Sequence, residues 1–224
     1  MIKPTIRAPN ATNRAPNASE GSASSKFPWR VALRALAALI CAAAPAAQAG
    51  DWSEAAVVRR DLQPLVSYRA KLDGEFLVVQ ADHEEGWHTC SMDNKVRAEE
   101  KLAGRRSLGM DAPTEIGVAE GLELAGGWRQ SPPKDFSKPE LRWFTWGFEE
   151  SALFVAKVRR TGDGPARISV RGQVCSETSC QNIDVALSLS LASWNNGSSA
   201  SDIDFEKLIA VREAKDAPDE QGDN

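Results

Sequence analysis

Residues 166–191 read ARISVRGQVCSETSCQNIDVALSLSL. Ala166–Val174 alternates apolar and polar side chains, and Ile183–Leu191 does the same. Period-two alternation places successive side chains on opposite faces, the pattern of a half-buried strand. It argues against a parallel sheet buried on both faces, whose strands read as continuous apolar runs. Between the two strands lies Cys175-Ser176-Glu177-Thr178-Ser179-Cys180. A four-residue loop makes the two cysteines facing positions of a hairpin. Facing residues of an antiparallel pair have Cα atoms about 4.5–5.5 Å apart, within reach of a disulfide.

The same signals recur upstream. Val66–Leu72 alternates, Asp73-Gly74 is a hairpin turn signal, and Glu75–Ala81 is a second strand. Gly86–Cys90 continues the extended character. The polar stretch 91–112 has room for a short helix around Val96–Leu102. Thr114–Val118 and Leu122–Leu124 read as short strands, and Gly126–Phe136 as a loop from its Gly and Pro content. Arg142–Phe148 and Ser151–Arg160 read as strands, and Thr161–Pro165 as a turn. Many short strands with regular turn signals predict an all-β chain, an antiparallel β-sandwich. Ser201-Asp202 followed by Ile203, Phe205, Leu208, Ile209 and Val211 predicts a short C-terminal helix. The acidic tail from Lys215 has no such pattern.

The N-terminus differs in kind. Six basic residues (Lys3, Arg7, Arg14, Lys26, Arg30, Arg34) stand against Glu20 in the first 49 positions. With −4 on the whole chain, the remainder carries −9. Such an acidic body is a poor partner for nucleic acid or an anionic membrane surface. Arg30 and Arg34 precede the apolar run Ala35–Ala44, then Pro45 and Ala47-Gln48-Ala49. A charged flank, a short apolar run and a small-x-small triplet have the layout of a secretory signal peptide cleaved after Ala49. Ala38-Leu39-Ile40 before Cys41 makes a poor lipobox. The imperfect repeat RAPNAT (7–12) and RAPNAS (14–19) reads as a disordered lead-in. The expected organisation is therefore 1–49 lead-in and signal, 50–64 a connecting segment, 65–194 the sandwich, and 195–224 linker, helix and tail.

Export makes disulfides chemically permissible. Cleavage would leave Cys90, Cys175 and Cys180, an odd number. Three readings of the pair stay open on residues alone. As a staple, a six-residue loop adds only about 2 kcal/mol in the chain-entropy account. As a redox pair, it exchanges electrons with other thiols. As part of a Cys₃His set with His88 and Cys90, it would suit zinc or copper(I). A tryptophan-rich sandwich (Trp87, Trp128, Trp143, Trp146, Trp194) is also compatible with a protein- or ligand-binding adaptor whose disulfide is structural.

The order of Gly86-Trp87-His88-Thr89, Pro113-Thr114, Gly127-Trp128 and Gln173-Val174-Cys175 to Cys180 resembles the N-terminal periplasmic domain of the thiol:disulfide interchange protein DsbD, over roughly Leu65–Leu191. The resemblance implies an immunoglobulin-like sandwich and no cofactor. It also implies Cys175 and Cys180 as the working pair, trading electrons between a separate membrane donor and thioredoxin-like periplasmic proteins through mixed disulfides. In that family a Phe-bearing loop caps the pair; the matching segment is Asp135-Phe136-Ser137-Lys138. Departures are Gln181-Asn182 where the family often has Pro, and Cys90 where it commonly has an aromatic. Cys90 is then a third redox thiol, an intermolecular link, or a small packed residue.

Overall fold

The computed structural model describes residues 52–106, 111–192, 194 and 203–213. The lead-in and signal segment, and the proposed Ser201-Asp202 cap, lie outside the described residues. In chain order the elements are β1 (Ala56–Arg60), β2 (Gln63–Asp73), β3 (Phe76–His83), β4 (His88–Cys90), α1 (Asn94–Leu102), β5 (Glu115–Ala119), β6 (Leu122–Gln130), β7 (Lys134–Asp135), β8 (Trp146–Phe148), β9 (Ser151–Arg160), β10 (Ala166–Cys175), β11 (Cys180–Leu189) and β12 (Ile209–Ala210).

The alternating sequences become two antiparallel sheets. One runs β1-β2-β3-β9-β6-β12 and the other β11-β10-β4-β8-β7, with β5 pairing the first half of β10. Inward-facing residues of both sheets share one core. Tyr68, Leu77, Val79 and Phe154 meet Ile168, Val170, Val174 and Leu187 there. This is the all-β antiparallel sandwich that the periodicity predicts, in the immunoglobulin-like form that the resemblance implies. Each buried aliphatic side chain of this kind contributes on the order of 1.5–3 kcal/mol.

Three local expectations are corrected. Gly126–Gln130, read as loop, belongs to β6. The strand survives the glycines because the register against β9 shifts between Leu124 and Trp128, an irregularity that the small residues accommodate. The strand expected over Arg142–Phe148 begins only at Trp146, since Pro139–Leu141 forms a 3-10 turn ending at Arg142 in the left-handed region. The C-terminal helix is a single 3-10 turn, Phe205–Lys207. The apolar residues after it are extended instead: Ile209 and Ala210 pair with Gln130 and Arg129. Leu208 packs with Val78 and Val155 on the outer face of the first sheet.

Helix α1 packs against β8 with Asn94, Ala98 and Leu102 on its buried side, the spacing of one helical face. Its first turn is fastened by Asp93, which is buried. Asp93 Oδ1 accepts from Arg97 Nε and Gln130 Nε2, both at 2.8 Å, and Oδ2 accepts from the Arg212 N–H at 3.3 Å. Burial alone would raise this carboxyl's pKa, but the hydrogen bonds from Arg97 and Gln130 outweigh it and hold it below the usual range. One carboxylate thus ties α1 to β6 and the C-terminal segment.

Candidate functional site

The β10–β11 hairpin is in register from Ala166↔Leu189 to Cys175↔Cys180. Its turn closes with the Ser176 N–H donating to Ser179 O at 2.8 Å. Ser176 Oγ accepts from the N–H groups of Thr178 and Ser179. A bonded Ser176–Ser179 pair makes the next pair outward a non-hydrogen-bonded one, the closer kind. Cys175 and Cys180 are joined by a disulfide, with Cα atoms 4.0 Å apart. Their environments are opposite: Cys175 is 2% exposed, and Cys180 faces solvent. Arg60 of β1 steadies the tip by donating from Nη1 to Ser179 Oγ at 2.8 Å.

Beside Cys175 runs β4, with Cys175 opposite His88 and Val174 opposite Thr89. The loop carrying Phe136 leans on this edge. The Phe136 ring stacks on the His88 imidazole, centroids 4.6 Å apart and planes at 16°. The loop is fixed by the Phe136 N–H to Thr145 O at 2.9 Å and the Lys138 N–H to Trp143 O at 2.7 Å. Lys134 lies over the Phe136 ring at 5.6 Å and pairs with Glu149. Asp135, exposed, bonds within its own loop, accepting from the Ser137 N–H at 2.9 Å. Burial lowers the His88 pKa against the opposing pull of Asp111, so the ring is favoured in its neutral form.

Cys90 is fully buried, its Sγ 3.7 Å from Thr145 Oγ1. Burial, reinforced by the Asp111 charge, pushes its thiol up to about 12. His83 is equally committed to structure. Its Nδ1 meets Glu150 O at 3.1 Å and its Nε2 meets Thr89 Oγ1 at 2.9 Å. Those partners define a neutral tautomer, with Nδ1–H donating to the carbonyl and Nε2 accepting from the hydroxyl.

Sequence reasoning missed Asp111. One of its carboxylate oxygens and the sulfurs of Cys175 and Cys180 all lie within 4.8 Å of one another. Among the described residues, this is the group of potential ligand atoms that gathers at the pair; His88 and Cys90, the other half of a Cys₃His set, are not in it. Asp111 is buried at 8% exposure, and Oδ2 accepts from Trp143 Nε1 at 3.0 Å. Asn94 Nδ2 donates to its main-chain oxygen at 3.1 Å. The following residues anchor it: the Ala112 N–H donates to Gln173 Oε1, and Thr114 Oγ1 to Cys90 O at 2.6 Å. Gly172, at φ +144°, lets this segment approach; a Cβ there would sit 2.9 Å from Pro113 O. The nearby Pro113-Thr114 was visible as a motif, but nothing in the loop's periodicity marks the aspartate.

No family model and no curated protein matches the chain. Solved structures similar to it include the N-terminal periplasmic domain of ScsB from Proteus mirabilis, at 16% identity and TM-score 0.47 over 71% of this chain. The likeness is one of fold. The chain spans 56% of that ScsB structure's length. The DsbD N-terminal domain of Neisseria meningitidis in its reduced form is similar at 13% identity and TM-score 0.40, covering 68% of this chain and 97% of that one. The same kind of domain in a complex of the DsbD N-terminal and PilB N-terminal domains from Neisseria meningitidis is similar at 12% identity and TM-score 0.40, covering 64% and 96%.

Proposed function

We propose that this chain is an exported thiol–disulfide exchange domain that passes electrons through Cys175 and Cys180 to or from thioredoxin-like partners. The observation that carries the reading is the asymmetry of the bond: an exposed sulfur and a buried one, closed by a loop of six residues. A staple across so short a loop adds little that the hairpin does not already supply. An exposed sulfur is open to an incoming thiolate, and a buried one suits the leaving and resolving role. The Phe136 loop beside the pair acts as a shield that a partner displaces. Cys90, protonated and enclosed, takes no part. Electrons reach the pair from a separate membrane carrier, and the domain works in the periplasm after removal of its leader. Among the described residues no helix is long and apolar enough to cross a membrane.

Equilibration of the protein against glutathione and dithiothreitol buffers tests this. A redox pair equilibrates near the range of known exchange proteins. A potential below about −300 mV marks a structural bond and overturns the reading in favour of a binding sandwich with a staple. A Cys175→Ser variant is expected to trap a thioredoxin-like protein as a mixed disulfide on Cys180.

A further inference from the structure

We infer that Asp111 is the proton carrier for Cys175 during exchange. The inference rests on the exchange reading above and adds to it the group that moves the proton. A sulfur that is 2% exposed has little access to bulk water, yet its thiol must gain or lose a proton at every turnover. The buried Asp111 carboxylate is placed within 4.8 Å of both sulfurs. That span closes by rotation of Cys175 once the bond opens, or through one water; catalytic hydrogen bonds are often loose before the reacting state forms.

Charge decides how the site works. Among the described residues, the groups around the carboxylate include the two sulfurs, the Cys90 thiol, the neutral-favoured His88 ring and the Trp143 indole N–H, none of which carries a full positive charge at neutral pH. The Lys138 ammonium acts on the His88 ring from the Phe136 loop. Two adjacent anions, a carboxylate and a thiolate, are mutually destabilising in so enclosed a place. When the domain is oxidised the disulfide is neutral and Asp111 carries the charge alone.

The steps balance in both directions. For reduction, a partner thiolate attacks Cys180 Sγ and the Cys180–Cys175 bond breaks, leaving the electron pair on Cys175 Sγ. That sulfur takes, through Asp111, the proton that the partner thiol gave up to the carboxylate on forming its thiolate. A second partner thiol then attacks the partner's own sulfur in the mixed disulfide and releases Cys180. For oxidation, the Cys180 thiolate attacks a partner disulfide. Asp111 removes the Cys175 proton, and Cys175 attacks Cys180 Sγ, expelling the partner thiolate, which takes that proton and leaves Asp111 a carboxylate. Trp143, through its N–H, and Asn94, through the Asp111 main-chain oxygen, are positioning residues.

The test uses the reduced chain in a Cys41→Ala background with a metal chelator present, so that an ion held by the same three groups does not mimic the effect. 5,5′-Dithiobis(2-nitrobenzoate) supplies the partner disulfide. Cys180 releases one thionitrobenzoate, and attack by Cys175 on the mixed disulfide releases a second, coloured and timed by stopped flow. With Asp111→Asn the second phase is expected to slow about 100-fold at pH 7, the scale of general acid–base catalysis. Its pH profile is expected to become that of an unassisted thiol. Superimposable second phases and pH profiles overturn the role of Asp111. A wild-type protein that gives no second release fails differently: it overturns the exchange reading itself. If Asp111→Asn loses the native near-UV signal, Trp143→Phe reads the same step with the carboxylate kept and its donor gone. A slowed second phase there supports the assignment, and an unchanged one overturns it.

Discussion

The ring of Phe136 lies almost parallel to the His88 imidazole, 4.6 Å away, on the strand that pairs with Cys175. An aromatic stack of this geometry contributes about 0.5–1.5 kcal/mol. That is enough to favour a closed loop and little enough for the loop to open at small cost.

Phe136→Ala should therefore act on rate more than on stability. Reduction of the Cys175–Cys180 bond by glutathione is expected to accelerate several-fold, while the thermal midpoint moves only slightly. The loop's backbone bonds from Phe136 N–H to Thr145 and Lys138 N–H to Trp143 do not depend on the ring. Parallel stopped-flow reduction and thermal melts check this; an unchanged reduction rate argues that the stack is only a loop anchor.

The hairpin was legible because its information is local. Alternation fixes which face of β10 and β11 is buried, and a short turn fixes the register that sets Cys175 opposite Cys180. The same logic found β2 and β3. It failed where tertiary pairing overrides composition. The Gly126-Gly127 stretch of β6 looks like a loop and is held in the sheet by β9. Ile209 and Ala210 look helical by spacing and are extended by pairing with β6. Asp111 was illegible for a further reason. It stands in an aperiodic segment and reaches the sulfurs through Gly172, Gln173, Asn94 and Trp143, residues distant along the chain.

Stability should fall on mild acidification. His83 and His88 both have pKa values lowered from 6.5 by burial. In the unfolded chain these imidazoles titrate near their ordinary value, so below about pH 6.5 the unfolded state binds more protons. The contribution is fully present above that value and is lost as pH falls through the lower folded values. Urea midpoints are expected to be higher at pH 7.5 than at pH 5. His83→Gln should flatten part of that dependence, because its imidazole bridges Glu150 O and Thr89 Oγ1. A midpoint that is constant from pH 7.5 to 5 contradicts the burial argument.

Cys90 should behave as a packed residue. With its thiol pushed up to about 12, the thiolate is scarce at neutral pH, and no solvent reaches the sulfur. Wild type and Cys90→Ala in the oxidised state are expected to give the same thiol titre under native conditions, and to differ by one equivalent only in denaturant. The two should also exchange at the same rate. A native-state difference in titre, or a loss of exchange in Cys90→Ala, would assign Cys90 to the redox chemistry.

Gly172→Ala should damage the site through the backbone. The residue sits in the middle of β10 at φ +144°, a conformation side chains with a Cβ rarely adopt, opposite Ile183. Strain of this type costs about 1–3 kcal/mol, and the added methyl would also press on Pro113 O at 2.9 Å. The cheaper escape is for the Pro113-Thr114 segment to move away, and that segment carries Asp111. The disulfide itself, three residues further along β10, has no reason to break. The expected result is a protein with the Cys175–Cys180 bond intact by mass, a lower urea midpoint, and a slower Cys175 resolution step resembling that of Asp111→Asn. A stability loss without any change in the resolution rate would separate the glycine's role in folding from the placement of the carboxylate.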